Sequence, residues 1–319
     1  MQSKVVTVTL NPALDKTITI PRLEVGGLNR AEQVRLDPGG KGINVAKVLK
    51  KFSVDVIATG FIGGSEGEFI QRSLNNLGIK TGFVEVQDVT RTNLKIVDNE
   101  TKVTTEINEP GFAVPAEDLA KFRHILAGLL EDSSVLVLGG SVLQGMPGNI
   151  YSEYIALAKE KNVKTILDAD GAALEEGIKA RPFAMKPNVH ELAWLLGRSL
   201  TTEKEIIAAG QELINEGITV VVISRGSEGA IALTKEEAYR ATPFSIIPQS
   251  TVGAGDSMVA AMTYAILENK SLAEVARWAT VAGTVTASKP GTEVCSLSEV
   301  QPLLNQVQVT WIEPLQRKI

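Results

Sequence analysis

Short runs rich in β-branched residues recur along this chain at 5–10, 54–59, 135–138, 163–167 and 219–223, each parted from the next by intervening segments, most of them of helical periodicity. That alternation restricts the fold more than any other feature. Strands separated by helices build a mostly parallel, doubly wound sheet with helices packed on its faces, a three-layer α/β/α architecture. Helices are expected at 44–52, 66–77, 115–130, 150–161, 202–215 and 254–267, with a closing pair at 272–287 and 297–307. Two regions, 16–37 and 82–108, break the rhythm with strand-like alternation and no helix. Within the second, 93–97 and 103–107 flank the turn-prone Asp98-Asn99-Glu100 and read as a hairpin. Together the two regions are expected to form a small β-sheet lid, whose exposed face suits burial against a second subunit in a homodimer.

A length of 319 residues is enough for a substantial core, and with no repeat, low-complexity tract or linker the span 1–319 reads as one domain. Lys plus Arg number 32 against 37 Asp plus Glu, a net charge of -5 without a long basic run, so nucleic acid is not an expected partner. No segment reaches the roughly 18 apolar residues of a membrane span, and the start of the chain lacks the pattern of a signal peptide. A single cysteine, Cys295, fits a reducing compartment, and the expected location is the cytoplasm. With only His124 and His190 beside that cysteine, a structural zinc site has no ligands. Chemistry must rest on Asp, Glu, Lys, Arg and backbone.

The segment Ser250-Thr251-Val252-Gly253-Ala254-Gly255-Asp256-Ser257 combines small residues, a helix entrance and a carboxylate. Free N–H groups and the positive dipole end of such a helix favour an anion, with Asp256 in reach of whatever carries it. The plainer alternative is an acidic first-turn residue that steadies the helix by about 0.3–1 kcal/mol. A second glycine-rich loop, Pro38-Gly39-Gly40-Lys41-Gly42-Ile43-Asn44, offers backbone, a cation and a polar amide, a mixture suited to a ligand with hydroxyls and a phosphate. Neither G-x-x-x-x-G-K-[ST] nor G-x-G-x-x-G occurs. Gly63-Gly64-Ser65-Glu66-Gly67 does match the nucleophile-elbow pattern G-x-S-x-G, which admits a serine hydrolase using Ser65 with Asp168 or Asp170 and then His190. In Lys186-Pro187-Asn188-Val189-His190-Glu191, Asn188 and Glu191 are spaced either as a capping box or as water-mediated holders of a nucleotide's magnesium.

Gly39-Gly40-Lys41-Gly42-Ile43-Asn44-Val45-Ala46, followed by Ser53 and Gly63, and then the stretch 250–263, resemble the two signatures of the ribokinase-like (phosphofructokinase B) family of sugar kinases. The similarity runs over essentially the whole chain and accounts for the elbow-like 63–67. Within that family the chain is similar to the hexose-phosphate branch, the 1-phosphofructokinases and tagatose-6-phosphate kinases. Thr9-Leu10-Asn11-Pro12-Ala13 with Asp15, Lys41, Arg91-Thr92-Asn93, Gly140-Ser141 and Lys186-Pro187-Asn188 with Glu191 carry that likeness, and the turn at 250–258 leans to the 1-phosphofructokinases.

The resemblance implies transfer of a phosphoryl group from ATP, with Mg2+, to D-fructose 1-phosphate, giving fructose 1,6-bisphosphate; tagatose 6-phosphate is the alternative acceptor. It makes Asp256 the general base and the amides of Gly253, Ala254 and Gly255 the holders of the charge in flight. Asp15 and Asn44 would bind sugar hydroxyls, with Gly39, Gly40 and Ser141 beside them, and Lys41, Arg91 and Arg30 the substrate's phosphate. ATP would lie along Ser224, Gly226, Gly229, Thr251, Gly253 and Gly255, with Lys186 near its phosphates and Asn188 and Glu191 behind Mg2+ through water. Two departures stand out: Asp170, where relatives often carry Ser, and Ser250, where many carry an Asp that helps hold potassium.

Overall fold

The computed structural model describes residues 4–313, so 1–3 and 314–319 of the expected domain lie outside the described residues. The main sheet runs, in spatial order, Lys80–Thr81, Asp55–Gly63, Lys4–Thr9, Val135–Gly139, Lys164–Asp168, Ala184–Met185, Val220–Ser224, Ala230–Leu233, Ala238–Thr242 and Gln308–Ile312. Pairing is parallel as far as Val220–Ser224 and antiparallel beyond it. The period-2 alternation of each central strand divides its side chains between two cores. Val5, Val135, Val137, Val220 and Val222 pack against Lys41–Lys51, Ala254–Leu267 and Leu272–Ala287. Val6, Val8, Leu136, Leu138 and Val221 pack against Ala116–Leu129, Ile150–Glu160 and Glu203–Asn215. Both faces are therefore covered, which is why these strands read as continuous apolar runs.

Helices Ala254–Leu267 and Leu272–Ala287 stand where the periodicity placed them. Three differences have local causes. The helix Gly171–Lys179 was not expected, since two glycines in nine residues weaken its signal. The expected helix 297–307 stops at Val300 and continues as a 3-10 turn, Gln301–Gln306, because Pro302 cannot sustain the α pattern. The antiparallel strands Ala230–Leu233 and Ala238–Thr242 each carry two alanines and few β-branched residues; burial between neighbours, not propensity, makes them strands.

A separate four-stranded sheet, ordered Gln33–Gly39, Ala13–Ile20, Arg91–Asp98 and Thr104–Asn108, forms the lid. The lid region expected at 82–108 begins later than that: Val84–Val86 pairs with Asp55–Gly63 on the main sheet instead. The hairpin turn is locked by Asp98, whose carboxylate accepts the N–H groups of Glu100, Thr101 and Leu23. Register puts Asp15 opposite Asn93, Lys95 opposite Glu106 and Asn93 opposite Asn108, so one face of the lid is polar. The other face carries Val34, Leu36, Leu94, Ile96 and Ile107.

Candidate active site

A cavity of about 390 Å3 lies under the polar face of the lid, at the carboxyl ends of Lys4–Thr9 and Val135–Gly139, where open α/β sheets bind their ligands. The sequence-predicted Asp15, Gly40, Lys41, Asn44, Arg91 and Ser141 all line it, and so do Gly253, Asp256 and Asp170. Gly39 stands just behind, and a Cβ there would lie 2.6 Å from the Asp15 carboxyl carbon, so glycine allows the loop to press against Asp15.

Gly253, the N-cap of Ala254–Leu267, adopts the left-handed φ of 77° that favours glycine, and this bend aims the helix start into the cavity. Asp256 in the first turn is 8% exposed, and its Oδ2 accepts the Asn44 Nδ2–H at 2.8 Å. Burial, then the neighbouring Asp168 charge, raise its pKa to about 6 against the opposing effects of Asn44, Lys41 and Lys186. Such a carboxylate is ionised at neutral pH yet basic enough to accept a proton. One expectation needs correction here. The Ala254 N–H donates to the Thr251 carbonyl at 3.2 Å, closing a turn, so only the amides of Gly253 and Gly255 remain to face an anion.

Asp168 is the electrostatic hub behind the cavity. Burial works against its charge, but Lys186 at 3.5 Å and Lys41 at 3.3 Å outweigh that and hold its pKa below the usual value. Lys41 also lies 3.8 Å from Glu191, and its own pKa is raised because its carboxylate neighbours overcome burial. In the lid, Asp15 pairs with Lys95 at 2.9 Å and accepts from Asn93 at 3.1 Å. Arg91 donates to the carbonyls of Glu109 and Asn11 at 2.9 and 3.2 Å.

Buried polar atoms without partners call for an explanation, and in a cavity wall a ligand can supply the partner. In this cavity wall they are Thr9 Oγ1, Asn11 Oδ1, Asn93 Oδ1 and Arg91 Nε. Amide carbonyls that accept and a guanidinium that donates suit a polyhydroxylated anion. Asn11, Asn93, Lys95, Glu106 and Asn108 were not singled out as binding residues from sequence, yet they line the same cavity. A signal was present: Arg91, Asn93 and Lys95 are polar at every second position, while Leu94 and Ile96 between them are apolar.

The residues expected around a nucleotide fall at the next strand ends. Asn188 and Glu191 form a complete capping box, Asn188 Oδ1 accepting the Glu191 N–H and Glu191 Oε2 accepting the Asn188 N–H, each at 2.8 Å. The structure thus realises the capping alternative, leaving Glu191 Oε1 toward Lys41. Ser224 ends its strand beside Asn188, its N–H bonded to the Pro187 carbonyl. Lys186 Nζ sits 3.7 Å from where a Cβ on Gly255 would be, so the small residue lets the lysine approach the helix start. Gly226 opens the exposed 3-10 turn Gly226–Glu228 and Gly229 follows it, and Thr251 is exposed just before Gly253.

Arg30 stands apart, on the exposed connection between Ala13–Ile20 and Gln33–Gly39, and does not line the cavity. The hydrolase alternative fails on geometry. Ser65 Oγ donates to Glu66 at 2.9 Å, Asp168 is committed to two lysines, and His190 is exposed on Val189–Leu195. Neither Ser65 nor His190 reaches the cavity.

A sequence profile of the pfkB family carbohydrate kinases matches residues 8–299. A 1-phosphofructokinase of Bacillus subtilis is 36% identical over 95% of this chain and 98% of its own length. A tagatose-6-phosphate kinase of Staphylococcus epidermidis is 32% identical over 96% and 99%. Phosphofructokinase-2 from Escherichia coli, in its complex with potassium, superposes with a TM-score of 0.90 at 32% identity, covering 95% of this chain and 99% of that one. The tetrameric inhibited form of that enzyme superposes with a TM-score of 0.88 at 31% identity over 95% and 99%.

Proposed function

We infer, from the premise that this chain belongs to the pfkB family of carbohydrate kinases, that it is a cytoplasmic, ATP-dependent kinase converting D-fructose 1-phosphate to fructose 1,6-bisphosphate. The observation that carries this reading is the convergence of Asp256, with its pKa near 6, on one cavity with the cations Lys41 and Arg91 and the polar Asp15 and Asn44. Asp256 takes the proton of the C6 hydroxyl as that oxygen bonds to the γ-phosphorus of ATP and the bond from that phosphorus to the bridging oxygen breaks, releasing ADP. Asn44 holds the carboxylate in place through its 2.8 Å hydrogen bond. The Gly253 and Gly255 amides face the charge of the transferred phosphoryl group, and Lys186 stands beside Gly255. Lys41 and Arg91 hold the phosphate already on the sugar, Arg91 by its planar fork, while Asp15 and Asn93 hold its hydroxyls.

Among the described residues no three of His, Cys, Asp and Glu are grouped to hold a metal by themselves. Mg2+ carried on nucleotide phosphates needs no such group, since the protein touches it through water; Glu191 Oε1, with Asn188 beside it, would serve that outer role. Mg2+ supplies neutralisation of phosphate charge when bound. The reading is tested by assaying the full chain with ATP against fructose 1-phosphate, tagatose 6-phosphate and fructose 6-phosphate. Fructose 1-phosphate is expected to give the highest kcat/KM, and Lys41→Ala to raise its KM. A preference for tagatose 6-phosphate would move the chain to the other branch, and no turnover of any of the three would overturn the reading.

The apolar face of the lid supports assembly as a homodimer. Val34 is 52% and Leu36 40% exposed on one edge strand and Ile107 55% on the other, all on the same face of a sheet whose opposite face is already committed to the cavity. A second copy of the same face would cover them. Leu36→Glu with Ile107→Glu is expected to yield a monomer by light scattering, whereas an unchanged mass would place the interface elsewhere.

A further inference from the structure

We propose that a second cavity, of about 500 Å3 at the far end of Lys41–Lys51, is a binding site for a small phosphorylated ligand that lowers turnover. It shares no lining residue with the cavity that holds Asp256. Arg35, Lys47, Lys50 and Lys51 face it against two carboxylates, Asp37 and Glu293, in a chain whose net charge is -5. Asp37 is already taken: it pairs with Arg35 at 2.8 Å, and Thr292 bridges the two. Lys47 and Lys51 find only neutral acceptors. Lys51 donates to the Val294 carbonyl at 2.9 Å, and Lys47 to the Pro38 carbonyl and Asn44 Oδ1 at 3.4 and 3.5 Å; among the described residues none of Lys47, Lys50 and Lys51 has an ion-pair partner.

The helix dipole accounts for Lys50 and Lys51 in the last turn, but not for Lys47 a turn earlier. Lys47 and Lys51 are four residues apart on one helix face, a repulsive spacing that an anion between them relieves. Burial lowers the Lys47 pKa, with Asp37 the first group to oppose it; a bound phosphate would add a nearer counter-charge. Leu77 and Ile79 complete the wall, giving the organic part of a phosphate ester an apolar surface.

Lys47 links the two cavities. It donates to Asn44 Oδ1, and the same amide's Nδ2 donates to Asp256. A phosphate that draws Lys47 Nζ toward the second cavity withdraws that support from Asn44 and so loosens the base. This coupling rests on the kinase reading; binding itself does not.

The test is calorimetric titration of the full chain with inorganic phosphate, alongside Lys50→Ala, Lys50→Glu and Arg91→Ala. The expected result is two sites, one weakened about tenfold by Lys50→Ala, the scale of one hydrogen bond to a charged group, and more by Lys50→Glu, the other weakened by Arg91→Ala. Phosphate binding that follows Arg91 alone overturns the site. A second measurement adds phosphate at saturating ATP and sugar phosphate: kcat should fall in the intact chain and hold in Lys50→Glu. If kcat does not fall while calorimetry finds the site, the coupling is wrong; if activity is absent altogether, calorimetry still decides the site.

Discussion

Asp256→Asn is expected to lower kcat by about 10²–10⁴, the range of general-base catalysis, and to make the folded protein more stable at neutral pH. Asparagine keeps the shape and can still accept the Asn44 hydrogen bond, so nucleotide affinity should be nearly unchanged. The stability gain follows from the raised pKa. Between the ordinary carboxyl value of 3.8 and the folded value of about 6, the folded state holds its proton while the unfolded state has released it. Stability attributable to Asp256 therefore falls as pH rises through that window and is level above it. A shift of this size corresponds to about 3 kcal/mol in the ionised state, which Asn does not incur. The intact chain should correspondingly lose kcat/KM as pH falls through about 6, where the base becomes protonated. Near-normal turnover in the variant would remove Asp256 from the chemistry, and equal stability of the two proteins at pH 5 and pH 8 would remove the raised pKa. With Asp256 as the proposed base, catalysis and stability are opposed at this one carboxylate, because desolvation both raises its basicity and makes its charge costly.

The parts of this site that could be read from the sequence are those carried by loops at helix starts. Gly253 to Asp256 and Gly39 to Asn44 announce themselves because their small residues have no role in a core, and they mark the two helix entrances that the structure brings together. What could not be read is what depends on pairing across distance. Lys95 looks like any polar strand residue until parallel pairing of Ala13–Ile20 with Arg91–Asp98 brings it to Asp15, 80 positions away in sequence. The Ala254 amide was misjudged for a similar reason: its use depends on how residue 251 turns, which composition does not state. The central strands were legible because burial on both faces demands β-branched runs. Ala230–Leu233 was not, since its small side chains serve packing between neighbours.

Lys95→Met should carry the largest stability cost of any lid substitution. The Lys95–Asp15 pair has side chains only 8% and 9% exposed, so removing the cation leaves a buried carboxylate with no ion pair, held by the Asn93 hydrogen bond and the more distant charges of Arg91 and Lys47. Breaking such a pair from one side costs about 3–5 kcal/mol, whereas removing both charges can be nearly neutral. The lid is a separate sheet, so the loss should show first as faster hydrogen exchange over 13–39 and 91–108 and as a raised KM for the sugar phosphate. Asp15→Asn combined with Lys95→Met separates the two effects. Slow exchange should return, because no uncompensated charge remains, while KM stays high, because the carboxylate proposed to hold the sugar's hydroxyls is gone. If the double variant recovers KM together with exchange protection, Asp15 serves only the architecture of the lid. If the single variant exchanges like the intact protein, the pair is solvated in solution and the lid does not depend on it.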